Sequence, residues 1–305
     1  MRIATMATGG IGGFLAVKLA NSGHEVATIA RGEHLAAINK NGLTLEGPDG
    51  TETAHPWIAT DDPSEVGPVD AIIFGVKGDA LDDAARACVP MLGPDTAVVP
   101  FLNGVEAADR LLGHMDAHHV ANGMAQVSTT IAAPGVIRQT GGINRFVFAE
   151  RDSRASARID TLRAAINAAG SSAPPTDDIE RDVWAKFVLF SAMSGVTAAG
   201  RCTIGEITAH PQLGALFQQV AAETAAVGRA LGIALPTNIE EALWRIVTTL
   251  PPEMRASTAI DLEAGRPLEI EWVSGAAVRL AEKARVAAPA NSVLYALLLP
   301  YKNGR

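Results

Sequence analysis

Two groups of residues in this chain have types and spacings that can do chemistry. The first is the turn Ala7-Thr8-Gly9-Gly10-Ile11-Gly12, which follows an apolar strand (Ile3 to Met6) and opens an amphipathic helix carrying Phe14, Leu15, Val17 and Leu19. Glycines at a strand-to-helix turn let the backbone approach a pyrophosphate, whose charge the helix N-terminus favours. Gly9 and Gly12 match the second and third glycines of a G-x-G-x-x-G pattern, with Ala7 at its first position. The next strand, Val26 to Ala30, ends on Arg31. An NAD-selective site would place Asp or Glu there for the ribose 2′-hydroxyl, whereas arginine suits a 2′-phosphate. The N-terminal segment therefore implies NADP(H). The second group centres on Lys186, the one charged side chain between Val183 and Gly200. It can snorkel to solvent along an apolar helix. It can also face a cleft between two domains as a proton donor, because carbonyl reduction needs both charge and a proton at the developing alkoxide. Partial burial would lower its pKa from about 10.4 toward the working pH.

The elements that position these groups follow from the pattern. After Arg31 come a helix (Glu33 to Asn41), a hairpin (Leu43 to Leu45, Thr51 to Ala54), a buried strand (Asp70 to Lys77) and a helix (Asp79 to Val89). A strand at Ala97 to Leu102, a helix to Leu112, strands at Val120 to Thr130, Val136 to Gln139 and Arg145 to Ala149, and a helix from Ser153 to Ala169 complete this half. Such alternation predicts a mostly parallel, doubly wound sheet. Gly170 to Thr176 reads as a linker. Beyond it helices are expected at 178–199, 204–208, 213–231, 238–250, 253–264, 269–285 and 292–300. The fold class is thus α/β: a Rossmann-type doubly wound sheet in an NADP-binding domain (residues 1–172), then an all-helical substrate and catalytic domain (residues 173–305).

Composition narrows the function classes. A chain of 305 residues suggests two domains, and 48% hydrophobic with 19% charged residues is an ordinary globular balance. The formal charge of −8 argues against nucleic acid or an anionic membrane as the main partner. The apolar run from Phe187 to Gly200 falls short of the ~20 residues that span a bilayer and reads as a buried core helix. With no charged-then-apolar leader before the first strand, no signal peptide is expected. Cys88 and Cys202 have neither disulfide-framework nor metal-ligand spacing, so a cytoplasmic location is expected. His118 and His119 diverge in direction and lack a third ligand, so no metal is assigned.

Further motifs add a resemblance. Arg31-Gly-Glu-His-Leu-Ala-Ala-Ile, Gly75-Val-Lys77, Phe101-Leu-Asn103-Gly-Val, Val183-Trp-Ala-Lys186-Phe, Ser257-Thr-Ala-Ile-Asp261 and Gly265-Arg-Pro-Leu-Glu269-Ile-Glu271 follow in the order seen in ketopantoate reductases. The chain resembles that family over essentially its whole length. The resemblance implies NADPH-dependent reduction of 2-dehydropantoate to pantoate, a step of pantothenate biosynthesis, by a Rossmann domain followed by a helical one. It implies that Lys186 is the general acid and Glu269 its partner in contact with substrate. Ser257 would help bind substrate, and Lys77 and Asn103 would lie near the nicotinamide. A small 2-oxo acid is the expected partner, and a homodimer is compatible with it. Taken singly, Lys77 could be a strand-end charge, Asn103-Gly104 an ordinary turn, Ser257 a surface residue, and Glu269 a helix-start carboxylate.

The departures bear on substrate. Four and eight residues after the lysine, on the same helix face, the family usually carries asparagines; here Phe190 and Ser194 stand there as candidate substrate-binding residues. Ile204 and Met254 replace two further asparagines. The expected alternatives are a paralogue reducing a more apolar 2-oxo acid and a non-catalytic NADPH-binding sensor. A hydroxyacyl-CoA-type dehydrogenase would need a His–Glu pair, and the helical half offers only His210, beside Pro211.

Overall fold

β1 (Arg2–Met6) is the middle strand of a parallel sheet because its residues after Arg2 are apolar or small on both faces and are covered on both. The computed structural model describes residues 1–305. They fall into two units, Met1–Leu102 with Ala107–Ile179, and Asn103–Glu106 with Glu180–Arg305.

In the first unit β1 is followed by α1 (Gly10–Asn21), β2 (Glu25–Ile29), α2 (Gly32–Asn41), β3 (Leu43–Gly47), β4 (Gly50–Ala54) and β5 (Ile58–Thr60). Then come β6 (Val69–Phe74), α3 (Leu81–Ala87), β7 (Leu92–Pro100), α4 (Ala107–Leu111), β8 (Ala121–Ala133), β9 (Val136–Glu150) and α5 (Ala157–Ala168). The five-stranded parallel sheet has the order β5-β2-β1-β6-β7, so the chain reverses direction across the sheet at β1. Ligands of open α/β sheets bind beyond the strand C-termini at such a switch point. The remaining strands do not extend this sheet. They form a second, four-stranded sheet of order β4-β3-β9-β8, in which only the β3–β9 pair is parallel.

That second sheet accounts for two differences from the pattern the sequence predicts. α1 contacts β1 and β2 as well as β3, β4, β8 and β9, so Gly12 to Val17 and Leu19 are all buried and the helix is covered all round rather than amphipathic. A Cβ on Gly13 would lie 2.6 Å from the Ile137 side chain, and one on Gly10 would lie 2.7 Å from the Thr129 carbonyl. β9 is one strand rather than two: Asn144 faces Val127 and Thr140 faces Ser128, so Gly141, Gly142 and Ile143 bulge out without ending the ladder. Part of the expected linker is also held, since Ser172 accepts from the Phe146 N–H (2.8 Å) and donates to the Asn144 carbonyl (3.0 Å). The core joins both sheets through Phe14 stacked on Phe146, with Phe101 edge-on to Phe146 and Phe148.

From α6 onward the chain is helical: α6 (Ile179–Ala199), α7 (Ile204–Ala209), α8 (Pro211–Ala230), α9 (Ile239–Val247), α10 (Ser257–Glu263), α11 (Ser274–Ala284) and α12 (Pro289–Leu298). α6 forms the centre of the second unit's core, burying Phe187, Val188, Ala192 and Val196. Close approaches occur where side chains are absent, Gly195 against Leu294 and Gly228 against Trp184. α10 starts later than expected because the preceding residues are used elsewhere: the carbonyls of Pro252 and Met254 accept from Gly205 and Ile204 at the start of α7. No helix is long and apolar enough to cross a membrane.

Candidate active site

The glycine turn lies at the C-terminal end of β1, within the first unit. The Thr8 N–H is bonded to the Ile29 carbonyl (2.8 Å), and the Thr8 and Thr5 hydroxyls pair at 2.8 Å. Gly9 is the N-cap of α1 and supplies no side-chain cap, and the first turn carries no acidic residue. Its early N–H groups, from Gly10 to Gly12, therefore have no intrahelical partner. The glycines divide by purpose. A Cβ on Gly12 would sit 2.1 Å from the Ala7 carbonyl oxygen, so the turn itself excludes any side chain there. A Cβ on Gly9 would meet only the Gly75 carbonyl, at 3.8 Å, so nothing in the protein requires its absence. That leaves an uncapped, positively polarised helix end beside an open backbone, which fits a pyrophosphate. Ala7 and Ile11 are partly buried and complete the turn. Arg31 is the exposed N-cap residue of α2 and forms no ion pair with the chain. Lys77 is exposed, where the chain leaves β6 and enters the short 3-10 turn Gly78–Ala80.

Three of the expected residues meet in the second unit. Lys186, one turn and more inside α6, donates through Nζ to Asn103 Oδ1 at 3.3 Å. Asn103 Nδ2 donates to Glu269 Oε2 at 3.5 Å. Only one orientation of the Asn103 amide works, because its oxygen must face the ammonium and its N–H groups the carboxylate. Burial lowers the Lys186 pKa to about 8, against the Glu269 charge, which favours the ammonium. The same ammonium stands 5.7 Å from the centre of the Phe190 ring, a cation–π contact one helical turn along.

Contacts that sequence spacing did not reveal hold this group in place. Gly104 adopts φ +89°, and a Cβ there would lie 2.4 Å from the Trp272 carbonyl. The 103–106 loop therefore packs directly on the residues after Glu269. Arg279 of α11 donates to Glu106 (2.6 Å), to the Glu271 carboxylate (3.3 Å) and to the Glu271 carbonyl (2.9 Å). Glu271 also accepts from Tyr295 (3.0 Å) and Lys302 (2.9 Å), and these donors hold its carboxyl below the usual range against the effect of burial. The segment 269–285 is accordingly not one helix. A 3-10 turn, Ile270–Trp272, precedes α11, and the break falls where the Trp272 carbonyl meets Gly104. Glu106 and Arg279 are 173 residues apart, so no local pattern links them.

The other expected residues lie outside this group. Ser194 is buried and pairs with the Thr258 hydroxyl at 2.6 Å. Ser257 is exposed at the first position of α10. Ile204 is buried and Met254 partly buried in the apolar core of the helical unit.

A Rossmann-like first unit followed by an all-helical one is the architecture of a nicotinamide-dependent oxidoreductase. The model of ketopantoate reductase PanE/ApbA matches residues 3–153, and that of its C-terminal part matches residues 178–302. The chain belongs to the ketopantoate reductase family. It is 30% identical over 301 residues to a 2-dehydropantoate 2-reductase of Mesorhizobium japonicum, covering 92% of this chain and 91% of the relative. The crystal structure of a PanE/ApbA family ketopantoate reductase from Ralstonia eutropha JMP134 superposes with a TM-score of 0.89 at 33% identity, over 99% of this chain and 98% of the other. A D-mandelate dehydrogenase structure with NADH and anilino(oxo)acetate shares the fold, with a TM-score of 0.89 at 23% identity over 99% and 98% of the two chains.

Proposed function

We propose that this protein reduces a 2-oxo acid to the 2-hydroxy acid with NADPH, with Lys186 as general acid. The observation that carries the reading is the Lys186–Asn103–Glu269 group: an ammonium whose pKa burial brings to about 8, held by an amide that a carboxylate orients. In this reading the backbone from Ala7 to Gly12 holds the pyrophosphate, Arg31 the 2′-phosphate, and Lys77 and Asn103 each contribute near the nicotinamide. The first unit thus carries the cofactor and the helical unit the catalytic lysine and substrate. When bound, the reduced nicotinamide supplies a hydride to the carbonyl carbon. Lys186 gives the carbonyl oxygen a hydrogen bond, then a proton as charge develops there, and is left as an amine that water reprotonates. Glu269 keeps Asn103 and the lysine in register and contacts the substrate, as does Ser257.

Family membership supports 2-dehydropantoate or a close relative as the substrate. A second reading, a 2-oxo acid with a more apolar tail, is favoured by Phe190 beside the Lys186 ammonium, where an asparagine would offer both a donor and an acceptor. The Ser194 hydroxyl, already paired with Thr258, does not replace that asparagine. Lys186→Ala tests the mechanism common to both. It should lower kcat at least about 100-fold while leaving NADPH affinity unchanged. Turnover that survives the substitution would make Lys186 an ordinary helix charge.

A further inference from the structure

The mechanism above leaves one partly buried histidine unused. His34, in the first turn of α2, lies with Nε2 2.9 Å from the Thr8 carbonyl oxygen, inside the glycine turn. Its Nδ1 lies 2.9 Å from the Gly135 N–H, in the turn between β8 and β9. A backbone N–H can only donate and a carbonyl can only accept. The ring is therefore neutral, with the proton on Nε2, and both of its nitrogens are committed.

We propose that His34 is a positioning residue for the cofactor: its neutral imidazole ties the glycine turn, the helix capped by Arg31 and the second sheet together, and protonation releases this tie. The inference rests on the reading that residues 7–12 and Arg31 hold NADPH. His34 lies three positions after Arg31, so the ring fixes the same helix end that presents the arginine. A protonated ring has two donors and no acceptor, and so loses Gly135 while keeping Thr8. No titratable side chain faces the ring from residues 7–12, from Ala133-Pro134-Gly135, or from β5, on which α2 also packs. Charged groups near it in sequence are Arg31, Glu33 and Lys40. Burial holds the imidazole below the ordinary histidine range, opposed by the Thr8 carbonyl. The switch therefore operates only on acidification below the ordinary histidine range.

Calorimetric titration of NADP+ between about pH 5 and 8, on wild type, His34→Gln and His34→Leu, tests this, alongside the NMR titration of the His34 ring in the unliganded protein. Glutamine can accept from Gly135 and donate to Thr8 but does not titrate; leucine can do neither. Wild type and His34→Gln should bind alike at pH 8, and the wild type should weaken about 2- to 10-fold relative to His34→Gln as the ring charges. The 2′-phosphate titrates in the same range but affects both proteins equally. His34→Leu should bind about 2- to 10-fold more weakly at pH 8; if it does not fold, the glutamine comparison decides alone. A constant wild-type to His34→Gln ratio across pH overturns the proposal. So does a ring that titrates at or above the ordinary histidine value without moving the Gly135 amide signal. Wild type that binds no NADP+ at any pH overturns the cofactor reading, and this inference with it.

Discussion

A lysine that gives up a proton near neutral pH has to be made more acidic than lysine is in water, yet kept charged until it acts. Lys186 meets both needs, because burial pulls its pKa down to about 8 while Glu269 limits the fall. The sign of the pH dependence follows. With Lys186 as the proposed general acid, reduction needs the ammonium, so kcat/KM for the 2-oxo acid should be flat below about pH 8 and fall about tenfold per pH unit above it. Oxidation of the 2-hydroxy acid needs the amine and should rise through the same pH. Steady-state profiles in both directions check this, and a reduction rate that keeps climbing past pH 9 would contradict it. Arg31 makes its own prediction. It is the exposed N-cap residue of α2, and the proposed function assigns it the 2′-phosphate. Arg31→Ala should weaken NADPH binding by about 1.5–3 kcal/mol, or about 10- to 150-fold, and NADH binding little. Equal affinity of the wild type for both cofactors would refute it.

At the scale of elements, the loop 103–106 deserves its glycine for two separable reasons. Gly104 has φ +89° and faces the Trp272 carbonyl, whereas Gly23, with φ +86°, has nothing within 4 Å of where a Cβ would sit. Both alanine variants incur the left-handed backbone penalty of about 1–2 kcal/mol. Only Gly104→Ala must also displace the residues after Glu269, so it should lower Tm further and reduce kcat, while Gly23→Ala should leave kcat intact. Thermal melts and turnover of the two variants decide, and equal effects would show that the packing on Trp272 is unimportant. Such loops are where sequence reading runs out. The strand, turn and helix around Gly9 and Gly12 were legible because local periodicity encodes them. The all-round burial of α1 was not, because it depends on β3, β4, β8 and β9, which lie far along the chain. Gly141 and Gly142 read as a strand break, but cross-strand pairing carries β9 past them as a bulge. Likewise Glu106, Arg279 and His34 make their contacts across long sequence separations that no spacing rule reaches.

For the whole molecule, the order of motifs carried more than any one of them. Lys186, Asn103 and Glu269 each have an ordinary structural explanation, but their sequence of appearance pointed to one family, and they meet in the helical unit. That unit is entered twice by the chain, at Asn103–Glu106 and again from Glu180, which no domain boundary read from composition would reveal. The chain's departures from the family pattern were legible in the sequence at Phe190, Ser194, Ile204 and Met254. All four face apolar neighbours or an internal hydroxyl partner. In the proposed function Phe190 is an apolar wall beside the lysine, and such a wall discriminates by only about 1–3 kcal/mol per methylene-sized change, so activity should spread across several 2-oxo acids. The most direct measurement is NADPH oxidation by the purified protein with a panel of 2-oxo acids that includes 2-dehydropantoate and analogues with aliphatic and aromatic tails. NADPH-dependent turnover on the panel is expected, with kcat/KM on an apolar-tailed member at least equal to that on 2-dehydropantoate. No turnover on any member would contradict it.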